Sequence, residues 1–374
     1  MHTDLFIGVM TGTSADGIDI CLASIQHSKI DLIDSVSIDF PSNLKSEIKA
    51  LCFPGTNEIF RAHSLGIKLS ILTAQHINQL LAKNLIPATN VHAIGFHGQT
   101  IRHHPEAEYA FSTQVGCAST LAHHTKIKTI TDFRMADIAA GGQGAPLVPA
   151  FHQSVFQSQS ENRLIINIGG IANITCIPAD PNKTISGFDT GPGNTLLDEW
   201  IFTQQQKDFD RNGDWARTGK TISKLLNTVK NDSYIIKAAP KSTGKEYFNL
   251  SWLNQHLEDF PNSKPEDIQR TLVEFTSNSI CDNIQSILKN LNEHPTSAYL
   301  CGGGINNTFL VETLKSQLPE LKISSTSELG IHPQLVEASA FAWLASRTVS
   351  GLAGNLKEVT GAHQDKVLGG IYLP

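Results

Sequence analysis

The 374-residue chain has no basic excess: 29 Lys and Arg stand against 35 Asp and Glu, for a net charge of −6. Proteins that grip a duplex or an anionic bilayer carry a basic face, and no basic stripe is visible, so neither a nucleic-acid nor a membrane partner is expected. No apolar run reaches the ~18 residues of a membrane-spanning helix. The opening residues MHTDLFIGVM lack a basic start, a long apolar stretch and a small-residue cleavage site, and a cytoplasmic chain is the expectation. The six cysteines are scattered without a C-x-x-C pair, which argues against a zinc ribbon or a dithiol redox motif and for buried, reduced thiols. With 28 Gly and 16 Pro, the chain is too poor in both for a collagenous or low-complexity protein. An apolar fraction of 40% with so small a net charge excludes a disordered chain. What remains is a globular protein too long for one hydrophobic core, and two lobes are the first expectation.

An apolar strand over 5–10 and alternating Ile18, Ile20, Leu22 and Ile25 lie on either side of a glycine-containing turn, which reads as a β-hairpin. A strand follows over 30–40 and a helix over 58–84 that ends before Pro87. A short strand at 91–96 delivers the polar cluster His97-Gly98-Gln99-Thr100. Beyond a helix at 115–125, a short strand at 129–130 and a glycine-rich stretch at 133–150, the chain starts afresh. Residues 163–168, the turn Gly169-Gly170 and residues 171–177 repeat the opening hairpin. Helical patterns at 219–230 and 265–291 precede a strand at 298–301, the run Gly302-Gly303-Gly304, a helix after Asn307 and a last helix over 333–346. The expected α/β lobes are 1–130 with the tail 351–374, and 131–350.

Three glycine turns sit at strand ends: MTGTSADG (10–17), IGGIAN (168–173) and CGGGINN (301–307). Glycine admits positive φ and close approach, and successive turn amides make a concavity that suits phosphate oxygens. Any one of them would serve equally as a tight structural turn. A nucleotide between two lobes accounts for all three together. The Walker A pattern does not fit, because Ala239-Pro240-Lys241-Ser242-Thr243-Gly244-Lys245-Glu246 supplies only its second half. The dinucleotide fingerprint does not fit either, since the first glycine turn joins strand to strand.

The strings GVMTGTSADGIDICL (8–22), GFHGQTIRHHP (95–105), TDFRMADIAAGGQGAPLVPAFH (131–152), NIGGIANIT (167–175), GFDTGPGNTLLDEWI (187–201), PKSTGKEYF (240–248) and CGGGINN (301–307) closely resemble the anhydro-N-acetylmuramic acid kinases, and do so in order along nearly the whole chain. That family lies within the actin–Hsp70–sugar kinase superfamily. The resemblance implies a two-lobed actin-like (ribonuclease H-like) fold with ATP in an interlobe cleft. It also implies ATP-dependent opening of the 1,6-anhydro sugar ring by water with phosphorylation of O6, and a homodimer. Rival readings are an actin-like kinase for another sugar or carboxylate, and a non-catalytic ATP-binding module.

Within that resemblance, Asp189 in the rigid, small-residue loop 187–194 is the expected base for the attacking water, or else a turn or cap residue. Gly12, Thr13, Ser14, Asp16, Gly17 and Asp19 make the γ-phosphate end of the ATP site. Asp16 and Asp19 would repel phosphate unless Mg²⁺ or its water intervenes, and Asp16-Gly17 alternatively just makes the hairpin turn. Gly169, Gly170 and Asn173 form the second phosphate turn, and Gly302, Gly303 and Gly304 the adenosine loop. Many superfamily members carry Asp before each phosphate-loop glycine where this chain has Gly8 and Asn167, so the metal ligands are left unassigned. His97, Gln99 and Arg134 are expected at the sugar, with Arg134 suited to its lactyl carboxylate or to a salt bridge with Asp132 or Asp137. Glu337, at the start of an apolar helix, joins them. The pairs His103-His104 and His123-His124 lack metal-ligand spacing and read as surface or partly buried residues.

Overall fold

The computed structural model describes residues 4–12, 15–26, 29–239, 241–289, 291 and 296–374. Its strands are β1 (Leu5–Met10), β2 (Gly17–Gln26), β3 (Lys29–Asp39), β4 (Val91–Phe96), β5 (Gln99–His104), β6 (Phe111–Val115), β7 (Thr129–Thr131), β8 (Asn162–Ile168), β9 (Ile171–Ile177), β10 (Ser186–Pro192), β11 (Thr296–Cys301), β12 (Lys322–Ser325) and β13 (Gly370–Tyr372). The chain divides into two compact units, Met1–Phe156 with Gln334–Pro374, and Gln157–Pro333. These boundaries fall after those expected from sequence at the first crossing and before them at the second.

The first unit is built on a sheet of order β13-β7-β4-β1-β2-β3. β1, β2 and β3 form an antiparallel meander, β4 runs parallel to β1, and β7 parallel to β4. β5 and β6 make a separate hairpin. The second unit has the order β10-β9-β8-β11-β12, with β8, β9 and β10 antiparallel and β11 and β12 parallel to β8. In both, the first strand of a meander sits at the centre and pairs in parallel with the strand that returns after a helix. That is the ribonuclease H-like order, present once in each unit, as in actin-like ATPases.

β1 and β4 are apolar along nearly their whole length, as a central strand covered on both faces requires. One cover of the first unit's sheet is the helix Val336–Val349, whose Ala338, Ala342 and Ala345 are fully buried. It lies so close that a Cβ on Gly8 would collide with Ala338 O and one on Gly95 with Phe341 O. This explains why the helix belongs to the first unit. Sequence continuity suggested the second, but the small residues on strand and helix are matched to each other. The second unit's core gathers around the helix Pro265–Leu288, through Leu272, Val273, Phe275, Ile280 and Ile284, packed with Leu164, Ile166 and Ile174 of the sheet. Of the cysteines, Cys21, Cys176, Cys281 and Cys301 are buried as expected. Cys117 is half-buried, and Cys52, on the turn after the helix Ser42–Leu51, is exposed.

Candidate functional site

In the first unit, the turn between β1 and β2 is tied to the loop after β4. Thr11 Oγ1 donates to Gly98 O (2.7 Å), Gln99 Nε2 to Gly12 O (3.2 Å), and His97 N to Val9 O (3.1 Å). The fold therefore brings Gly12, expected at the nucleotide, next to His97 and Gln99, expected at the sugar. Thr13 and Ser14 lie outside the described residues. Asp16 is exposed, and its carbonyl accepts Phe40 N (2.7 Å), which extends the pairing of β2 with β3 by one residue. Gly17 starts β2 opposite Asp39. Asp19 stands half-buried on β2 opposite Ser37, whose hydroxyl donates to Asp19 Oδ1 (2.5 Å). Burial pushes its carboxyl up despite that bond, and the charges of Asp16 and Asp39 add to the rise.

Arg134 Nε and Nη2 reach His97 Nε2 at 3.1 and 2.9 Å, and Nη1 donates to Gly144 O at 2.8 Å. A guanidinium can only donate, so His97 Nε2 must accept and the ring is neutral with its proton on Nδ1. Burial drives the His97 pKa far below its usual value, and the Arg134 charge adds to this. His97 and Gln99 are buried, and among the described residues His97 Nδ1 and Gln99 Oε1 have no hydrogen-bond partner. The acids expected beside Arg134 are engaged elsewhere. Asp137 accepts Gly144 N (2.8 Å), Asn355 Nδ2 (2.6 Å) and Thr360 Oγ1 (2.7 Å), and Asp132 accepts the Met135 amide. Glu337 is within electrostatic reach of both Asp19 and Arg134. Burial raises its carboxyl to about 7, Asp19 adds to the rise and Arg134 opposes it. A carboxyl raised in this way holds its proton to higher pH than usual, and in that form it can donate as well as accept.

In the second unit, Asp189 is not on a loop, as its glycine-rich surroundings suggested, but on β10. The strand tolerates those glycines because the register slips between Asp189 and Gly191, a bulge that lets Gly191 take φ +154°. Strand pairing sets Asp189 opposite Asn173, and Asn173 opposite Asn167. Directly paired residues share one face of a sheet, so Asn167, Asn173 and Asp189 form a polar row across three strands. Asn167 was not singled out as a site residue, although the symmetry of the hairpin about Gly170 would have paired it with Asn173. Asn167 is buried, and Oδ1 has no hydrogen-bond partner among the described residues. Gly302, at φ +81°, lies against it: a Cβ there would collide with Asn167 Oδ1.

The turn Gly169-Gly170 is braced by the start of the helix Thr195–Gln205. Gly193 N and Thr195 N donate to Gly170 O, at 2.9 and 3.1 Å, and Asn194 N to Gly169 O at 2.8 Å. Gly303 and Gly304 open a short 3₁₀ turn after β11. Gly303 has open space where a side chain would be, while Gly304 is pressed against Ile168. Asn307 caps the following helix, Thr308–Gln317, by accepting Leu310 N (3.1 Å).

Asp189 is held by a segment whose role the sequence did not disclose. Its N–H donates to Lys241 O (3.0 Å), its carbonyl accepts Tyr234 Oη (2.8 Å), and its Oδ2 accepts Thr243 N (3.0 Å). The failed Walker pattern marked 239–246 as unusual, but nothing in its spacing pointed at Asp189.

Among the described residues, no group of three or more His, Cys, Asp or Glu side chains converges as a metal site, and no helix is long and apolar enough to cross a membrane. The charges of Asp16 and Asp39 both act against ionisation of Asp19, a repulsion that a bound cation would relieve.

The family model for anhydro-N-acetylmuramic acid kinase matches residues 4–374. Among curated proteins, the anhydro-N-acetylmuramic acid kinase of Shewanella pealeana is 45% identical over 372 residues, covering 100% of this chain and 99% of its own. That of Saccharophagus degradans is 46% identical over 381 residues, with 100% of each chain covered, and that of Pseudomonas fluorescens 44% over 368, with 98% and 99% covered. Among solved structures, the activator of the 2-hydroxyisocaproyl-CoA dehydratase from Clostridium difficile with bound ADPNP aligns over 90% of this chain and 92% of its own, at 14% identity and a TM-score of 0.42. On the whole-chain match and the identity of these relatives, the chain belongs to the anhydro-N-acetylmuramic acid kinase family.

Proposed function

We propose that this chain is an ATP-dependent kinase that opens the ring of 1,6-anhydro-N-acetylmuramic acid with water and phosphorylates O6, giving N-acetylmuramate 6-phosphate in the recycling of peptidoglycan sugar. The observation that carries the reading is the family match along residues 4–374, with relatives of matching length named for this activity. Asp189 takes a proton from the attacking water. The water oxygen bonds to C1 as the C1–O6 bond breaks, and O6 takes the γ-phosphoryl group as its bond to ADP breaks. Because phosphate captures the leaving oxygen, one carboxylate suffices where a glycosidase needs two. A strand supports this role, since a base on a paired strand is held more rigidly than one on a loop.

Gly12, Thr13, Ser14, Asp16, Gly17 and Asp19 are assigned to the γ-phosphate end of ATP, Gly169, Gly170 and Asn173 to the second phosphate turn, and Gly302, Gly303 and Gly304 to the adenosine. Magnesium bound with the nucleotide would neutralise phosphate charge, with Asp19 the residue best set to hold it or its water. On the sugar, Arg134 takes the lactyl carboxylate through paired donors. His97 Nδ1 and Gln99 Oε1, which have no partner among the described residues, supply further polar contacts together with Glu337. The chain is read as a cytoplasmic homodimer, the dimer resting on the family resemblance and checked by light scattering.

The test is ADP release with 1,6-anhydro-N-acetylmuramate against a panel of ordinary hexoses. Release with the anhydro sugar and its incorporation of label from heavy-isotope water at C1 are expected. Release with a plain hexose, or unlabelled product, would point to an ordinary hydroxyl kinase.

A further inference from the structure

We propose that Lys241 is a positioning residue for Asp189, fastening the segment from Tyr234 to Thr243 against β10 so that the carboxylate is held in one orientation. The proposal rests on the reading of Asp189 as the base.

Lys241 is only 3% exposed. Its ammonium is spent on main-chain carbonyls of its own segment, Tyr234 O at 3.3 Å and Ile235 O at 3.0 Å, and lies 5.0 Å from the centre of the Tyr234 ring. Burying a cation without a carboxylate partner costs free energy that an apolar side chain of the same length would avoid. Burial depresses its pKa, and the charge of Lys237 adds to this. Such a residue is explained when its bonds fix something else, and here they do. The two carbonyls it ties belong to the turn that carries Tyr234, whose hydroxyl donates to Asp189 O. Its own carbonyl accepts Asp189 N, and two residues on, Thr243 N donates to Asp189 Oδ2. Asp189 is thus gripped at its N–H, its carbonyl and one carboxylate oxygen by a single segment, and the Lys241 ammonium closes that segment on itself.

The far side of the segment is anchored in the core. Asp232 Oδ1 caps Tyr234 N (2.8 Å), and Oδ2 accepts Trp252 Nε1 (3.1 Å). The Tyr234 ring meets the fully buried Phe248 edge-on at 5.6 Å, and Phe248 meets Trp252 at 5.2 Å. The stretch that resembles half a Walker loop therefore aims the Thr243 amide at a carboxylate, while Lys241, four residues before the lysine of that pattern, is buried in the fold.

The test compares Lys241→Met, which keeps the stem and removes the charge and donors, with Lys241→Arg, Tyr234→Phe and Asp189→Asn in the full chain. In Lys241→Met, kcat is expected to fall roughly ten- to a hundredfold, the scale of a small misplacement of a reacting group. The KM values for sugar and ATP should stay within about twofold, because the interaction acts after binding. Lys241→Arg restores most of the rate, and Tyr234→Phe shows the same kcat-only loss at smaller size. Folded Lys241→Met with wild-type kcat, or with a loss confined to KM, overturns the proposal. If Lys241→Met does not fold, Tyr234→Phe decides by the same readout, and wild-type kcat there overturns it. An active Asp189→Asn would instead sink the reading of the base, a result distinguishable from failure of the clasp.

Discussion

The two sheets share the order of five strands, yet their corresponding hairpins are built differently. In the first unit, β1 and β2 pair from Leu5 opposite Ser24 to Met10 opposite Asp19, leaving a long polar turn between them. In the second, β8 and β9 stay paired up to Ile168 opposite Ala172, and the turn is little more than Gly169-Gly170. The acids differ too. The first unit carries Asp19 on the middle strand with the Ser37 hydroxyl opposite, whereas the second carries the amide of Asn173 on the middle strand with Asp189 opposite, on the third. Asp19 is half-buried beside the like charges of Asp16 and Asp39, whereas Asp189 is held by hydrogen bonds from one clasping segment. The repeated topology supplies a scaffold twice, and the two copies differ in which strand bears the carboxylate and in what surrounds it.

The largest expected effect tests the acid of the second unit. Asp189→Asn should lower kcat by roughly a thousandfold or more while ATP and sugar still bind by calorimetry, since removing a general base typically costs 10²–10⁴. Next comes the seam of the first unit. Gly8→Ala places a Cβ into Ala338 O, where helix and strand backbones meet, and should destabilise by about 3 kcal/mol or more on chemical unfolding. A conservative core change in the second unit, Ile166→Val, should cost only about 1 kcal/mol. Asp19→Asn should raise KM for ATP roughly tenfold with a smaller change in kcat, because one charged group at the nucleotide is lost and the base is untouched. Equal effects of Asp19→Asn and Asp189→Asn on kcat would erase the distinction between the units.

The smallest effect is one of pH. The Glu337 carboxyl is raised to about 7 in the folded protein, so the folded state holds its proton more tightly than the unfolded chain does. Its contribution to stability is complete below the ordinary carboxylate range and is lost as pH rises through about 7. Glu337→Gln should therefore flatten the decline in Tm between those limits, measured as the difference between variant and wild type, and leave the curve below that range unchanged.

Much of this arrangement was legible in the sequence because it rests on local pattern. The two hairpins, the strand that delivers His97 and the helix Glu58–Lys83 all follow from period-two or helical spacing. The long helix Pro265–Leu288 follows from the helical pattern over 265–291. What escaped rests on long-range pairing. β10 hides in a glycine-rich string because strand pairing and a bulge, not propensity, hold it extended. The helix Val336–Val349 was assigned by chain order to the wrong lobe, because its place is set by glycines hundreds of residues away in sequence, Gly8 and Gly95. The clasp on Asp189 runs through the main chain at Lys241 and Thr243, and a backbone carbonyl or amide leaves no signature in side-chain spacing.

The central claim is that Asp189 serves as base in a sugar-dependent phosphoryl transfer. ADP release by wild-type protein and Asp189→Asn, each saturated with ATP and 1,6-anhydro-N-acetylmuramate, tests it most directly. The account predicts release by the wild type that depends on the anhydro sugar and a near-complete loss in a variant that still binds both ligands. ADP release by Asp189→Asn at close to the wild-type rate would contradict it.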